Sequence, residues 1–170
     1  MAVHPIRTFP DPVLRTPAAE VTEFDDALDK LVEDMLETMY AAPGVGLAAP
    51  QIGVPKRVFV ADIGEGPFEL VNPEIVEVRG AWEYEEGCLS VPGRFWPITR
   101  SAYVRARGVD RRGRPVTYEG DELMGRVLQH EIDHLEGILL LERLPKRVRT
   151  RVLRELREEE APRHPAGGRR

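Results

Sequence analysis

The chain has 170 residues, 42% of them hydrophobic and 31% charged, with a formal net charge of −5. That length can bury one sizeable core, and no linker, repeat or low-complexity block divides the chain before its tail. No apolar run approaches a membrane span, residues 1–15 lack a secretory apolar stretch, and a lone cysteine excludes an internal disulfide, which suits a reducing compartment.

In chain order, Thr22 is read as the cap of a first helix that runs to about Tyr40, with Leu28, Leu31, Val32, Met35, Leu36 and Met39 at helical period. Gly44-Val45-Gly46-Leu47-Ala48-Ala49-Pro50-Gln51 follows. Gly44, Gly46 and Ala49 satisfy G-x-G-x-x-G/A spacing, but a helix precedes them and Pro50 disrupts any helix after them, so no nucleotide cofactor is expected. Short strands are predicted at 57–61, 68–71, 75–78, 103–109 and 115–118, with a hairpin loop at 110–113. Strands flanked by helices in this order predict an α+β fold with a mainly antiparallel sheet.

After the turn-like Gly120-Asp121 a further helix is predicted. Leu123, Val127, His130 and His134 share one stripe, Met124, Leu128 and Leu135 widen it, and Gly137 supplies a stop. Residues four apart lie on one helix face about a turn apart, close enough for two imidazoles to reach one cation. Two histidines and a glutamate in an apolar stripe carry a desolvation cost unless paired or ligated. Satisfied core or surface polar groups would explain such a pair, but the order His130-Glu131-Ile132-Asp133-His134 is the zinc-hydrolase signature, with Glu131 beside the first ligand. A hydrolytic metal normally takes three protein ligands and keeps one open position. Cys88 is the candidate third ligand, since a thiolate beside a dipositive ion is deprotonated outright. Its alternative is an inert buried hydrophobe, yet its polar, glycine-containing neighbours Glu85, Glu86, Gly87 and Ser90 are unlike a core strand. His4 near the start and His164 in a Pro/Gly-rich tail are less well placed.

Three segments in order, Gly44 through Gln51, Glu86-Gly87-Cys88-Leu89-Ser90, and His130 through His134 followed by Leu135, resemble the signature motifs of the peptide deformylases. The likeness reaches out to Asp11-Pro12-Val13-Leu14 and to a C-terminal helix, over residues 4–157. It implies mainly antiparallel sheets packed around a central metal-binding helix, in a single catalytic domain over 1–157 with 158–170 as a flexible tail. The activity implied is removal of the N-formyl group from the N-terminal methionine of newly synthesised proteins in the cytoplasm, with release of formate. One divalent metal per chain is implied, iron(II) natively and zinc or nickel after purification; ligand chemistry alone leaves the ion open. Metal-bound water is expected to attack the formyl carbonyl while Glu131 takes and returns its proton. The Gln51 amide and the Leu89 backbone N–H are expected to face the oxyanion. Val45, Gly46, Tyr84, Glu86, Gly87, Leu123 and Val127 resemble the surroundings of the substrate's methionine, and the N-formylmethionyl peptide is expected to bind as an added strand. Glu86 is expected to pair with Arg100. Arg126 departs from the family's usual apolar residue, and is read either as a peptide contact or as pointing outward.

Charge is unevenly spread. Residues 143–170 hold ten Arg or Lys against four Glu, net +6, which leaves −11 on residues 1–142. Within 143–157 seven basic residues face Glu155 alone, and Val148, Val152, Leu153 and Leu156 form an apolar stripe, so a basic helix is predicted at about 146–157. Its arginines read as a solvated face or, with the resemblance, as a contact for ribosomal RNA phosphates.

Overall fold

In the computed structural model, which describes residues 2–161, seven strands and three α-helices are arranged as an α+β fold. Helix α1 (Asp26–Ala41) opens with Asp25, whose carboxylate accepts the Leu28 N–H, while Asp26 and Asp29 place negative charge in the first turn, where the helix dipole favours it. The cap expected at Thr22 therefore moves to Asp25, the residue whose extended backbone brings its side chain over the first turn.

Five strands form an antiparallel sheet in the order β1 (Gly46–Ala48), β2 (Val58–Ala61), β3 (Phe68–Arg79), β6 (Tyr103–Val109) and β7 (Pro115–Asp121). Alternation explains the apolar run of β2. Val58 and Val60 point toward Leu28, Val32, Met35 and Met39 of α1, whereas Phe59 and Ala61 point to the other face. There they meet Val127, Leu128, Ile132 and Leu135 of α2 (Glu122–Leu135), so the sheet is sandwiched between the two helices. Side chains buried this fully stabilise by about 1.5–3 kcal/mol each, which fixes α2 firmly along the sheet. The helix ends where expected, with Gly137 in a left-handed conformation at φ 75°.

The strands expected at 68–71 and 75–78 are one strand, β3, with register shifts between them. Asn72 sits at φ 50° and its side-chain amide holds both the N–H and the C=O of Val21, while Pro73 lacks a donor, so the strand bulges without ending. Three strands escaped the sequence pattern: β1, β4 (Trp82–Cys88) and β5 (Val91–Arg100). The last two form a separate two-stranded sheet. Each is then an edge, which tolerates the prolines and glycine of β5 and the run of glutamates in β4. Cys88 lies at the buried end of a strand after all, contrary to the reading of its neighbours.

The C-terminal helix α3 (Lys146–Glu160) packs Val148, Val152, Leu153 and Leu156 over Cys88, Val91 and Ile98. It continues past the expected end at 157, because Arg94 of β5 pairs with both Glu155 and Glu159. The rest of the expected tail, with His164, lies outside the described residues. Among the described residues no helix is long and apolar enough to cross a membrane.

Candidate active site

Helix α2 and the end of β4 meet at a cluster of three donor atoms. His130 and His134, one turn apart, bring their Nε2 atoms to 3.2 Å, and Cys88 Sγ lies 3.3 Å from His134 Nε2. All three donors fall within 4.8 Å of one another. A tetrahedral ion with ligands at about 2.0–2.3 Å sets its donors roughly 3.3–3.8 Å apart, so the spacing suits one cation. Burial pushes the Cys88 thiol up, but His134 and His130 beside it outweigh burial and hold it well below the ordinary thiol range. The Ser90 N–H and the Gln51 amide also point at the sulfur, at 3.4 and 3.8 Å. This is a thiolate environment, matched to a borderline-soft divalent metal.

Glu131 is buried next to the cluster, and burial raises its carboxyl pKa against the lowering effect of the two histidines. Its Oε2 has no hydrogen-bond partner among the described residues, nor does His134 Nδ1. On its other side runs the backbone of Gly46, so close that any β-carbon there would overlap the carboxylate. A buried acceptor without a partner costs stability, and here it borders a cleft of about 610 Å³. Val45, Gly46, Tyr84, Glu86, Gly87, Leu123 and Val127 all line that cleft, together with Gln51, Cys88, Leu89, His130 and Glu131. Val45, Tyr84, Leu123 and Phe95 form an exposed apolar rim, of which the sequence reading missed Phe95. Gln51 is fixed by its Oε1, which accepts the Ala48 N–H at 2.9 Å, and its amide nitrogen donates to Ser90 Oγ at 3.1 Å.

Behind the histidines runs a buried chain of charge. His130 Nδ1 lies 3.4 Å from Glu86 Oε2, and Glu86 takes a bidentate pair from Arg100 at 2.8 and 2.9 Å. Burial raises the Glu86 carboxyl, but His130 and Arg100 bring it down to about 2. Arg100 also reaches Asp133 Oδ2 at 2.8 Å, and Asp133 is held from outside by Arg143 at 2.6 and 2.9 Å. The Glu86–Arg100 pair is thus present as expected. Arg126 decides between its two readings: it does not point outward, and it lines the cleft. Its guanidinium is buried, donates to the carbonyls of Trp82 and Ile98 at 2.7 and 3.0 Å, and lies over the Trp82 ring. Asp133 was also missed as a bridge. A charged residue inside an apolar helix stripe was the available signal for both, since such a group must be paired.

Fold and donor set together define a metal-dependent hydrolase. Residues 3–150 match the polypeptide deformylase family. A peptide deformylase of Acidothermus cellulolyticus is 50% identical over 160 residues, covering 94% of this chain and 89% of that one. Among solved structures, the peptide deformylase of Thermus thermophilus is 47% identical with a TM-score of 0.87, covering 92% of this chain and 95% of the other. That of Ehrlichia chaffeensis in complex with actinonin is 38% identical with a TM-score of 0.89, covering 95% and 99%. The chain belongs to the polypeptide deformylase family.

Proposed function

We propose that this chain removes the N-formyl group from the N-terminal methionine of nascent proteins in the cytoplasm, with Cys88, His130 and His134 holding one divalent metal and Glu131 moving the proton. The observation that carries the reading is the convergence of those three donors beside the unpartnered Oε2 of Glu131, with Cys88, His130 and Glu131 lining a cleft. A bound divalent ion supplies Lewis acidity, polarising a carbonyl and lowering the pKa of water toward about 7. Glu131 Oε2 takes a proton as the water oxygen bonds to the formyl carbon. As the C–N bond breaks, the same oxygen gives that proton to the departing amine, and formate keeps the water oxygen. Gln51 Nε2 and the Leu89 N–H donate to the formyl oxygen as its negative charge grows, and removing one such donor typically costs about 10²- to 10³-fold in rate. Glu86 orients His130 through Nδ1, and Arg100 fixes Glu86. The methionine side chain enters among Val45, Tyr84, Glu86, Gly87, Leu123 and Val127, close to Gly46.

Iron(II) is the ion we assign, on the family resemblance, with zinc or nickel as replacements. The test is formate release from formyl-Met-Ala-Ser by anaerobically purified protein. Absence of formate, or cleavage at internal peptide bonds instead, would overturn the reading. Aerobic zinc-loaded protein matching the anaerobic iron-loaded form in rate would remove the iron assignment. A ribosome contact is proposed through α3, whose Arg147, Arg151, Arg154 and Arg157 are exposed.

A further inference from the structure

We infer that a second cavity, of about 480 Å³ and lined by Arg15, Ile138, Glu142, Arg143, Arg149 and Leu153, binds a phosphate monoester. The three arginines that line it come from distant parts of the chain. Arg15 ends the 3-10 turn Pro12–Arg15, Arg143 ends the turn Leu140–Arg143, and Arg149 lies near the start of α3. Like charges gathered at one cavity repel, and the arrangement calls for counter-charge. Only part of that counter-charge is present among the described residues. Asp133 pairs with Arg143 in a bidentate geometry and shares its charge with Arg100. Glu142 is the one carboxylate in the wall itself. Among the described residues Arg15 and Arg149 form no ion pair; Arg15 has only the Phe9 ring, 5.1 Å from its guanidinium carbon, beneath it. Among the described residues, Glu142 and an Asp133 shared with Arg100 thus oppose three arginines, and the lining carries net positive charge.

Guanidinium groups present planar forks of donors that match phosphate oxygens, and an anion held by two or more of them gains charge-assisted hydrogen bonds. Ile138 and Leu153 add apolar surface, which a bare phosphate ion cannot use and the organic part of an ester can. The position is separate from the deformylation cleft, because none of its lining residues belongs to that cleft.

The metal-loaded protein is titrated with phenyl phosphate and with inorganic phosphate by calorimetry, at constant ionic strength in chloride buffer. Saturable binding is expected, tighter for phenyl phosphate, and at least about tenfold weaker in the Arg15→Ser/Arg149→Ser variant, as loss of charged hydrogen bonds implies. The exposed pair Arg112→Ser/Arg114→Ser is the control for net charge and should bind as the wild type does. Glu142→Gln should bind several-fold more tightly, a gain that a folding defect cannot produce. No saturation in the wild type would overturn the proposal. So would binding that survives the Arg15/Arg149 change, which puts the ligand at the metal centre, or an equal loss in the control, which makes the attraction diffuse. Inorganic phosphate binding as tightly as the ester would reject the monoester and leave a plain ion site.

Discussion

A methyl group at Gly46 would overlap the Glu131 carboxylate, so the smallest substitution in the chain tests the most demanding contact. Gly46→Ala should keep the metal and the fold but displace the base, and a shift of about 1 Å at a reacting group can cost on the order of 10²-fold. Metal analysis beside formate release checks this; unchanged turnover would show that Glu131 has room to adjust. Glu131→Ala should likewise retain one metal per chain and lose about 10²- to 10⁴-fold in rate, the usual contribution of a general base. Substantial activity in a metal-loaded variant would reject Glu131 as the base. These residues were readable because their signal is local: two histidines at helical spacing and a cysteine flanked by polar residues. Arg126 and Asp133 were not. Their partners on β4 and β5, the carbonyls of Trp82 and Ile98 and the guanidinium of Arg100, reach α2 only when that hairpin closes on it, and Arg143 reaches Asp133 from the turn Leu140–Arg143.

At the scale of elements, α1 and α2 were legible because a 3.6-residue apolar period survives in the sequence, whereas β4 and β5 were hidden. A two-stranded sheet with one face over the cleft has little core to bury, so the alternation of Trp82-Glu83-Tyr84-Glu85 stops at Glu86-Gly87, and prolines and a glycine interrupt Val91–Arg100. Helix α3 was legible in its apolar stripe but not in its length, since the pairs from Arg94 to Glu155 and Glu159 depend on a strand that the pattern did not reveal. The helix has two separable faces. Val152 is fully buried against Leu140, Leu141 and Leu144, so Val152→Ala should lower stability by about 1–3 kcal/mol in urea unfolding. Changing the exposed Arg147, Arg151, Arg154 and Arg157 to Glu should leave stability and deformylation of a short peptide nearly unchanged, because exposed charges contribute little. It should instead weaken cosedimentation with ribosomes and flatten its salt dependence, each lost phosphate contact removing about one unit of slope. Equal sedimentation of both proteins, or of neither, would leave α3 a brace only.

Over the whole molecule, the N-terminal arm is fastened to α1 through the buried carboxylate of Asp34 and the Thr38 hydroxyl, which accepts the His4 N–H at 3.0 Å. Asp34 accepts the Ala2 N–H at 2.8 Å, His4 Nε2 at 3.0 Å and Lys30 Nζ at 2.7 Å, and these partners, led by His4 and Lys30, hold its pKa well below the usual carboxylate range. The arm then continues to the turns that hold Gln51 and Ser90, where Arg7 N–H bonds Gln51 O and Phe9 N–H bonds Ser90 O, next to the catalytic cleft. A depressed folded-state pKa means that the fold prefers the ionised form. Its stabilisation is complete above the unfolded-state value of about 3.9 and is lost as pH falls through that value toward the lower folded one. Asp34→Asn should therefore cost about 1.5–3 kcal/mol at pH 7, the range for hydrogen bonds to a charged group. The gap between variant and wild type should hold constant down to about pH 4.5 and narrow below about pH 4, when the wild type begins to protonate Asp34 on unfolding. Urea midpoints at intervals from pH 7 to pH 3 measure it. A gap that stays constant through the whole range would mean that packing of the side chain, not its charge, fastens the arm.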